Sequence, residues 1–419
     1  MSFRTKILTA GLIMTALLLS AFPAGAAEQK TDHITLTADK TLSLGDVVRL
    51  AADRAPERFI ARAHDTISRA YADQSSNLFA GSPRLALSHQ NDFLLSDQGL
   101  REWEGRLEAP LWLPGEKSAH RNKAVAAAAE SQAYRVRLEW AVAADVRELV
   151  WQVKLAEAAL QESRDALDIA EQLKHDVERR ITSGDLPRNS LLLAQRDVAS
   201  RQIALKGAER DYVDSAVAYQ NYTGLERIPA EVRESRQEVA DELAAPHVLY
   251  ARRQVDYYQA EYDAVKRSWS SAPTVSLGVK RERGGYDDRS INSVSFGLTI
   301  PLGSRAYTAP KRAEAAARLA EAERQRESVL RRHRRALHEA HHELEVCLVQ
   351  QKISREHFAI SKENMRLARK AFDLGESDLM DLVRVQEQYF QSAAFQSRQQ
   401  IECGRATARH NQTKGIIPQ

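Results

Sequence analysis

Two patterns of apolar positions divide this chain. In one, Val146, Val153, Leu160 and Leu167 return at a spacing of seven, with Leu149, Ala156, Ala170, Val177 and Ile181 among and beyond them. That period predicts coiled-coil-like helix packing, and the small side chains of Ala156 and Ala170 predict close neighbours. In the other, Val294, Phe296, Leu298 and Ile300 alternate with Ser293, Ser295, Gly297 and Thr299. Strict period two predicts a strand with one apolar and one polar face. Its predicted partner sets Val275, Leu277 and Val279 against Ser276 and Gly278, and the polar run 283–288 turns between them. Earlier in the chain, Leu85 and Leu87 begin one strand. Trp103, Leu107 and Ala109 alternate in the next, interrupted at Gly105.

Neither Gly nor Pro occurs in residues 116–183 or 311–374. Each run is long enough to make a helix of roughly 100 Å. A dimeric coiled coil would also explain such runs, but the chain repeats itself in a way that a coiled coil does not require. Ser82-Pro83-Arg84-Leu85 matches Ala272-Pro273-Thr274-Val275, and Ala109-Pro110-Leu111 matches Ile300-Pro301-Leu302. Gly184 matches Gly375, and Asn221-Tyr222-Thr223 matches Asn411-Gln412-Thr413. All four offsets are 190 or 191 residues.

The predicted fold is therefore mainly α with a small β part, a duplicated helix-strand-strand-long helix-helix unit. The first repeat spans 28–224, with strands at about 83–91 and 102–111 and the long helix at about 116–183. It opens on Thr41-Leu42-Ser43-Leu44 and a helix from about Gly45 to Phe79. Residues 225–245 are the linker. The second repeat spans 246–419, with strands at about 273–282 and 292–301 and the long helix at about 305–374.

Composition narrows the class. With 18 Gly and 12 Pro in 419 residues, the chain falls well below the ordinary ~12% and is neither collagen-like nor a turn-rich all-β protein. A formal net charge of +3 makes no case for a nucleic-acid partner. Residues 1–27 read as a secretory signal: Arg4 and Lys6 precede an apolar stretch from Ile7 to Phe22, and Ala24-Gly25-Ala26 offers a cleavage site. No other stretch is long and apolar enough for a transmembrane helix, so any membrane insertion must use strands. Strands of about 8–11 residues suit a tilted membrane strand, and Trp103, Trp112 and Tyr286 suit an interface belt. A small soluble β-subdomain capping a helical rod is the alternative. Four strands cannot close a membrane barrel alone, so the membrane reading demands an oligomer.

No P-loop, dinucleotide fingerprint, nucleophile elbow or Cys-x-x-Cys occurs. The reading is of a non-enzyme without a cofactor. His333, His338, His341 and His342 cluster before Cys347, and His338 and His342 share a helix face at a spacing suited to a divalent metal. Arg331, Arg332, Arg334 and Arg335 oppose metal capture, so the cluster is read as a solvated helix face and no metal site is assigned.

The chain resembles the TolC-type outer-membrane efflux family over nearly its whole length. Several pieces carry the resemblance: Thr41-Leu42-Ser43-Leu44 with Ala55-Pro56-Glu57, Pro110-Leu111 with Pro114-Gly115-Glu116-Lys117, Arg180-Ile181-Thr182-Ser183-Gly184-Asp185, Phe372-Asp373-Leu374-Gly375-Glu376, and Asn221-Tyr222-Thr223-Gly224. The strand exit Leu113-Pro114-Gly115-Glu116-Lys117 is most similar to the heavy-metal (cobalt-zinc-cadmium, CzcC-like) branch. The resemblance implies a homotrimer whose strands, four per chain, make a twelve-stranded transmembrane β-barrel in outer-membrane lipid. Its helices would form an α-barrel spanning into the periplasm. It implies a passive efflux duct served by a periplasmic adaptor (membrane fusion) protein and an inner-membrane pump of RND type, with heavy-metal cations as candidate substrates. A periplasmic coiled-coil scaffold or adaptor is the competing reading.

The resemblance also implies a periplasmic gate after the second glycine turn, where two acidic positions are expected. Asp381 fits, whereas Arg384 departs from the pattern, and Phe372 and Ser377 stand where the family has its tethering residues. Gly184, Asp185, Leu186, Gly375, Glu376, Ser377 and Asp378 are the expected adaptor-docking tips, with Asp185, Ser377 or Asp378 as candidate N-caps. Cys347 and Cys403 lie 28 residues either side of Gly375, level with each other on antiparallel helices. They are read as two unpaired, buried small residues, with a disulfide in the oxidising periplasm as the alternative.

Overall fold

The computed structural model describes residues 35–238, 241–302 and 305–419, and the expected signal segment 1–27 lies outside the described residues. In chain order the elements are β1 (Thr37–Asp39), α1 (Leu44–Arg54), α2 (Arg58–Ser76), β2 (Arg84–Asn91), β3 (Arg101–Pro110), α3 (Glu116–Thr182) and α4 (Asn189–Thr223). They continue with β4 (Arg227–Pro229), α5 (Pro246–Arg267), β5 (Thr274–Arg283), β6 (Ile291–Thr299), α6 (Arg305–Asp373) and α7 (Leu379–Thr413). Helix, two strands, long helix and helix thus occur twice. α3 and α6 have 67 and 69 residues, about 100 Å at 1.5 Å per residue.

The opening helix differs from the expected single element over 45–79. Ser43 and Asp46 form a reciprocal capping box that starts α1. Pro56 then disfavours helical backbone in the residue before it. Ala55 takes φ −57° and ψ 133°, and the chain restarts as α2.

α1 buries Val47 and Val48 against Val146, Val150 and Trp151 of α3 and Tyr219 of α4. Gly404 of α7 is required here, because a Cβ would lie 2.3 Å from the Trp151 ring. Arg147, only 3% exposed, donates to both carboxylate oxygens of Glu234 at 2.7 and 2.6 Å and to the Ile416 carbonyl at 3.0 Å. The segment read as a linker is thereby held against α3 and the C-terminal residues. β4 adds to this by pairing in parallel with β1.

The second sheet carries the apolar alternation. Its order is β2-β3-β5-β6, all antiparallel, and the β3–β5 pairing joins the two repeats. Leu85, Leu107, Leu277 and Phe296 form one cross-strand rung, and Leu87, Gly105, Val279 and Val294 the next. These side chains are not core: Leu87 is 76% exposed and Phe296 77%. The opposite face is polar and ion-paired, with Lys280 between Glu102 (3.0 Å) and Glu282 (2.6 Å) and Arg106 on Glu104. Among the described residues β2 and β6 are free edges. Among the described residues no helix is long and apolar enough to cross a membrane.

Candidate functional site at the helical tips

The two long hairpins end in turns of the same construction. Gly184 and Gly375 adopt φ +84° and +76°, a left-handed conformation that strains any residue with a Cβ. After each glycine the backbone N–H reaches five residues back. Asp185 donates to the Arg180 carbonyl at 2.8 Å, and Glu376 to the Ala371 carbonyl at 2.9 Å. That bond satisfies a carbonyl the helix end would otherwise leave open. Gly184, Asp185, Gly375, Glu376 and Asp378 are exposed, while Leu186 and Ser377 are half-buried. Of the candidate N-caps only Asp378 acts, accepting from the Asp381 N–H at 2.8 Å. α4 starts without a side-chain cap, and the Ser377 hydroxyl has no hydrogen-bond partner among the described residues.

Behind the turns the hairpins pack on each other. Leu173, Val177, Ala194, Phe372, Leu379 and Leu382 make a buried cluster, with Leu186 against it. Charged side chains clasp its rim. Arg180 of α3 donates to the Phe372 carbonyl at 3.0 Å and to Asp373 at 2.9 Å, its guanidinium 4.6 Å from the Phe372 ring centre. Asp176 of α3 pairs with Arg369 of α6, which also lies 3.4 Å from Asp373. Further along, Arg201 of α4 pairs with Glu387 of α7 and sits over Phe390. Burial raises the Asp176 carboxyl, but hydrogen bonds from Arg179 and Arg369 outweigh it and hold the group below its ordinary range. Glu387 behaves alike: burial raises it, while Arg201 and Gln391 bring it lower on balance.

Sequence reasoning misses this clasp. Its partners lie 186 to 193 residues apart, and the one signal is the repeat offset, which sets the two turns side by side. Asp381 and Arg384 fall together within the first two turns of α7, paired with each other at 3.0 Å and exposed by 55% and 71%.

Two readings of the second hairpin need correction. Cys347 and Cys403 are not unpaired: they form a disulfide between α6 and α7, their Cα atoms 5.5 Å apart. Equal arms on either side of Gly375 bring the two cysteines level, and close packing at Leu344 and Ala406 brings them together. His333 is not on a solvated face. It is 3% exposed, because α5 packs over α6 and sets the His247 ring 4.9 Å away. Cationic surroundings act on that neighbour: burial, then His333, Arg137 and Arg332, push His247 down to about 4. His338 and His342 are exposed, their rings parallel at 6.4 Å. Among the described residues no group of three His, Cys, Asp or Glu is placed to hold a metal ion.

No protein-family model matches the sequence, and no curated protein is similar to it. Solved structures are. The outer membrane protein VceC of Vibrio cholerae superposes with a TM-score of 0.70 at 14% identity, over 89% of this chain and 96% of its own. The Campylobacter jejuni CmeC outer membrane channel gives 0.69 at 14%, over 89% and 85%. The open state of the Neisseria gonorrhoeae MtrE outer membrane channel gives 0.68 at 16%, over 91% and 90%. At such low identity the likeness speaks of architecture: the chain has the fold of these outer membrane channels.

Proposed function

We propose that the chain is one subunit of a passive trimeric exit duct, the outer-membrane part of a tripartite efflux system. One observation carries this most directly. A four-stranded sheet with two free edges presents a continuous apolar face to its surroundings. A soluble scaffold would leave that face and both edges in water, a combination that invites aggregation. Threefold closure edge to edge removes the edges and turns the apolar face to lipid, with the ion-paired face lining a water-filled lumen. The fold shared with outer membrane channels supports the same reading.

The helical hairpins would then extend into the periplasm as an α-barrel. Their glycine turns would meet a periplasmic adaptor, and an RND-type inner-membrane pump would deliver the substrate. The strand exit Leu113–Lys117 favours heavy-metal cations as that substrate. A duct needs no catalytic group, and the structural relatives are channels. At the gate, the Asp381–Arg384 pair would surround the entrance with nearly balanced charge, less cation-selective than two carboxylates. The clasp formed by Arg180, Asp176, Arg369 and Asp373 would hold the two hairpins in the closed arrangement.

The test is reconstitution in planar bilayers, together with a heat-sensitive trimer band on a denaturing gel. A monomer soluble without detergent and silent in bilayers would refute the duct. Equal conductance of wild type and the Asp381→Ala/Arg384→Ala variant would remove the gate role alone.

A further inference from the structure

The two faces of the four-stranded sheet treat their positive charges differently. On the polar face Lys280 and Arg106 each lie against carboxylates of the same face. On the apolar face three arginines gather beyond the last apolar rung, and no carboxylate joins them. Register pairs Arg101 directly with Arg283, and Trp103 with Arg281. Residues two apart on a strand point the same way, so Arg101, Arg281 and Arg283 share the face of Leu87 and Leu277. Their rungs are completed by Asn91, His89 and Asn292, all uncharged or weakly basic. None of the three arginines has a carboxylate partner among the described residues. The nearby carboxylates of the β2–β3 turn are engaged within that turn or by the β5–β6 turn beside it. Asp92 accepts from Ser96 at 3.1 Å and from the Gln98 N–H at 2.6 Å, and Asp97 accepts from the Tyr286 hydroxyl.

Like charges directly opposite on a sheet destabilise it. Here Arg101 faces Arg283, and Arg281 stands one rung away, so the three groups gather within roughly 10 Å. Trp103, stacked on His89 at 4.1 Å, marks the depth, since tryptophan favours the boundary between hydrocarbon and head groups. The arginines lie at that boundary and one rung beyond it, at the end of the sheet farthest from the long helices. Resting on the duct reading, which makes this the outer leaflet, we infer that Arg101, Arg281 and Arg283 form a binding patch for the phosphate groups of a phosphorylated glycolipid of that leaflet. Guanidinium groups suit phosphate oxygens, which they engage through paired N–H donors.

The test titrates bisphosphorylated lipid A, and lipid A stripped of both phosphates, into the detergent-solubilised full-length protein. Bound lipid is counted by native mass spectrometry. The intact lipid should bind the triple variant Arg101→Gln/Arg281→Gln/Arg283→Gln about 100-fold more weakly than wild type, from about fivefold per arginine at a charged lipid surface. Changing all three to Lys should restore much of the loss. Arg84→Gln, on the opposite face, should leave binding unchanged. Equal binding to wild type and the Gln triple variant, or to lipid with and without phosphates, would overturn the proposal. Inorganic phosphate binding as tightly as the lipid would also overturn it, as the mark of a small-anion site. Carbonate-resistant insertion into vesicles separates the two levels. If the wild type fails to insert, the duct reading falls and the patch with it; if it inserts but ignores lipid phosphates, only the patch falls.

Discussion

Replacing Arg180 with alanine should unlatch the two hairpins. The side chain makes three contacts across the gap: the Phe372 carbonyl at 3.0 Å, the Asp373 carboxylate at 2.9 Å and the Phe372 ring at 4.6 Å. The hydrogen bond to a neutral carbonyl contributes about 1 kcal/mol. The ion pair is discounted to about 0.5 kcal/mol, because Arg180 and Asp373 are 28% and 45% exposed. The ring contact adds about 0.5 kcal/mol. The sum, about 2 kcal/mol per subunit, shifts the balance between joined and parted tips by about 30-fold. The assay is open probability in planar bilayers, with the trimer band as the check on folding. Arg180→Lys should fall between wild type and Arg180→Ala, since an ammonium keeps the charge but loses the paired donors. A trimeric Arg180→Ala protein with wild-type open probability would refute the reasoning.

Other outcomes follow from the same structure. Asp176 and Glu387 have lowered carboxyl pKa values, so their contribution is complete above the unfolded value of about 4 and is lost as pH falls through the folded values. Tip cleavage by an acid-active protease should therefore rise below about pH 4, after correction for that protease's own pH profile, and the Asp176→Asn/Glu387→Gln variant should show a smaller rise. Alkylation of the unfolded protein should add nothing without reductant and two groups after reduction; Cys403→Ser should lower stability by about 4 kcal/mol, from the 56-residue separation that the bridge closes. Phe296→Lys places a charge on the apolar face and should weaken membrane insertion by about 2–4 kcal/mol per subunit, measured by refolding into vesicles, whereas Ser295→Lys on the opposite face should not.

The long helices and the exposed strand are legible in the sequence for a simple reason. Their signals are local: a lack of helix breakers over 116–182, and the alternation from Val294 to Leu298. The glycine turns are legible too, because a left-handed helix end admits few other residues. The break between α1 and α2 was available in Pro56, yet the apolar pattern runs on either side of it and hides the gap. The clasp is different in kind. Arg180, Asp373, Asp176 and Arg369 are ordinary charges on exposed-looking helix positions, and only the juxtaposition of two turns 191 residues apart gives them partners. The cysteines fall between these cases. Their equal distance from Gly375 predicts a common height, but a height is not a contact, and the lateral approach depends on packing at Leu344 and Ala406. His333 fails in the opposite way. Its arginine-rich neighbourhood reads as solvent-facing, and only the docking of α5 buries it.

The disulfide between α6 and α7 has a mechanical consequence. It divides the second hairpin into a stapled upper part and a lower arm that runs 28 residues from Cys347 to Gly375. As helix that arm is roughly 42 Å long. The paired helices cannot slide or separate at the staple, so relative motion within the hairpin is confined to the arm below. A swing of about ten degrees pivoting there would carry the turn sideways by roughly 7 Å over that length, more than the reach of any ion pair in the clasp. The staple works as a fulcrum, and the clasp restrains the far end of the lever, where small forces have the most leverage.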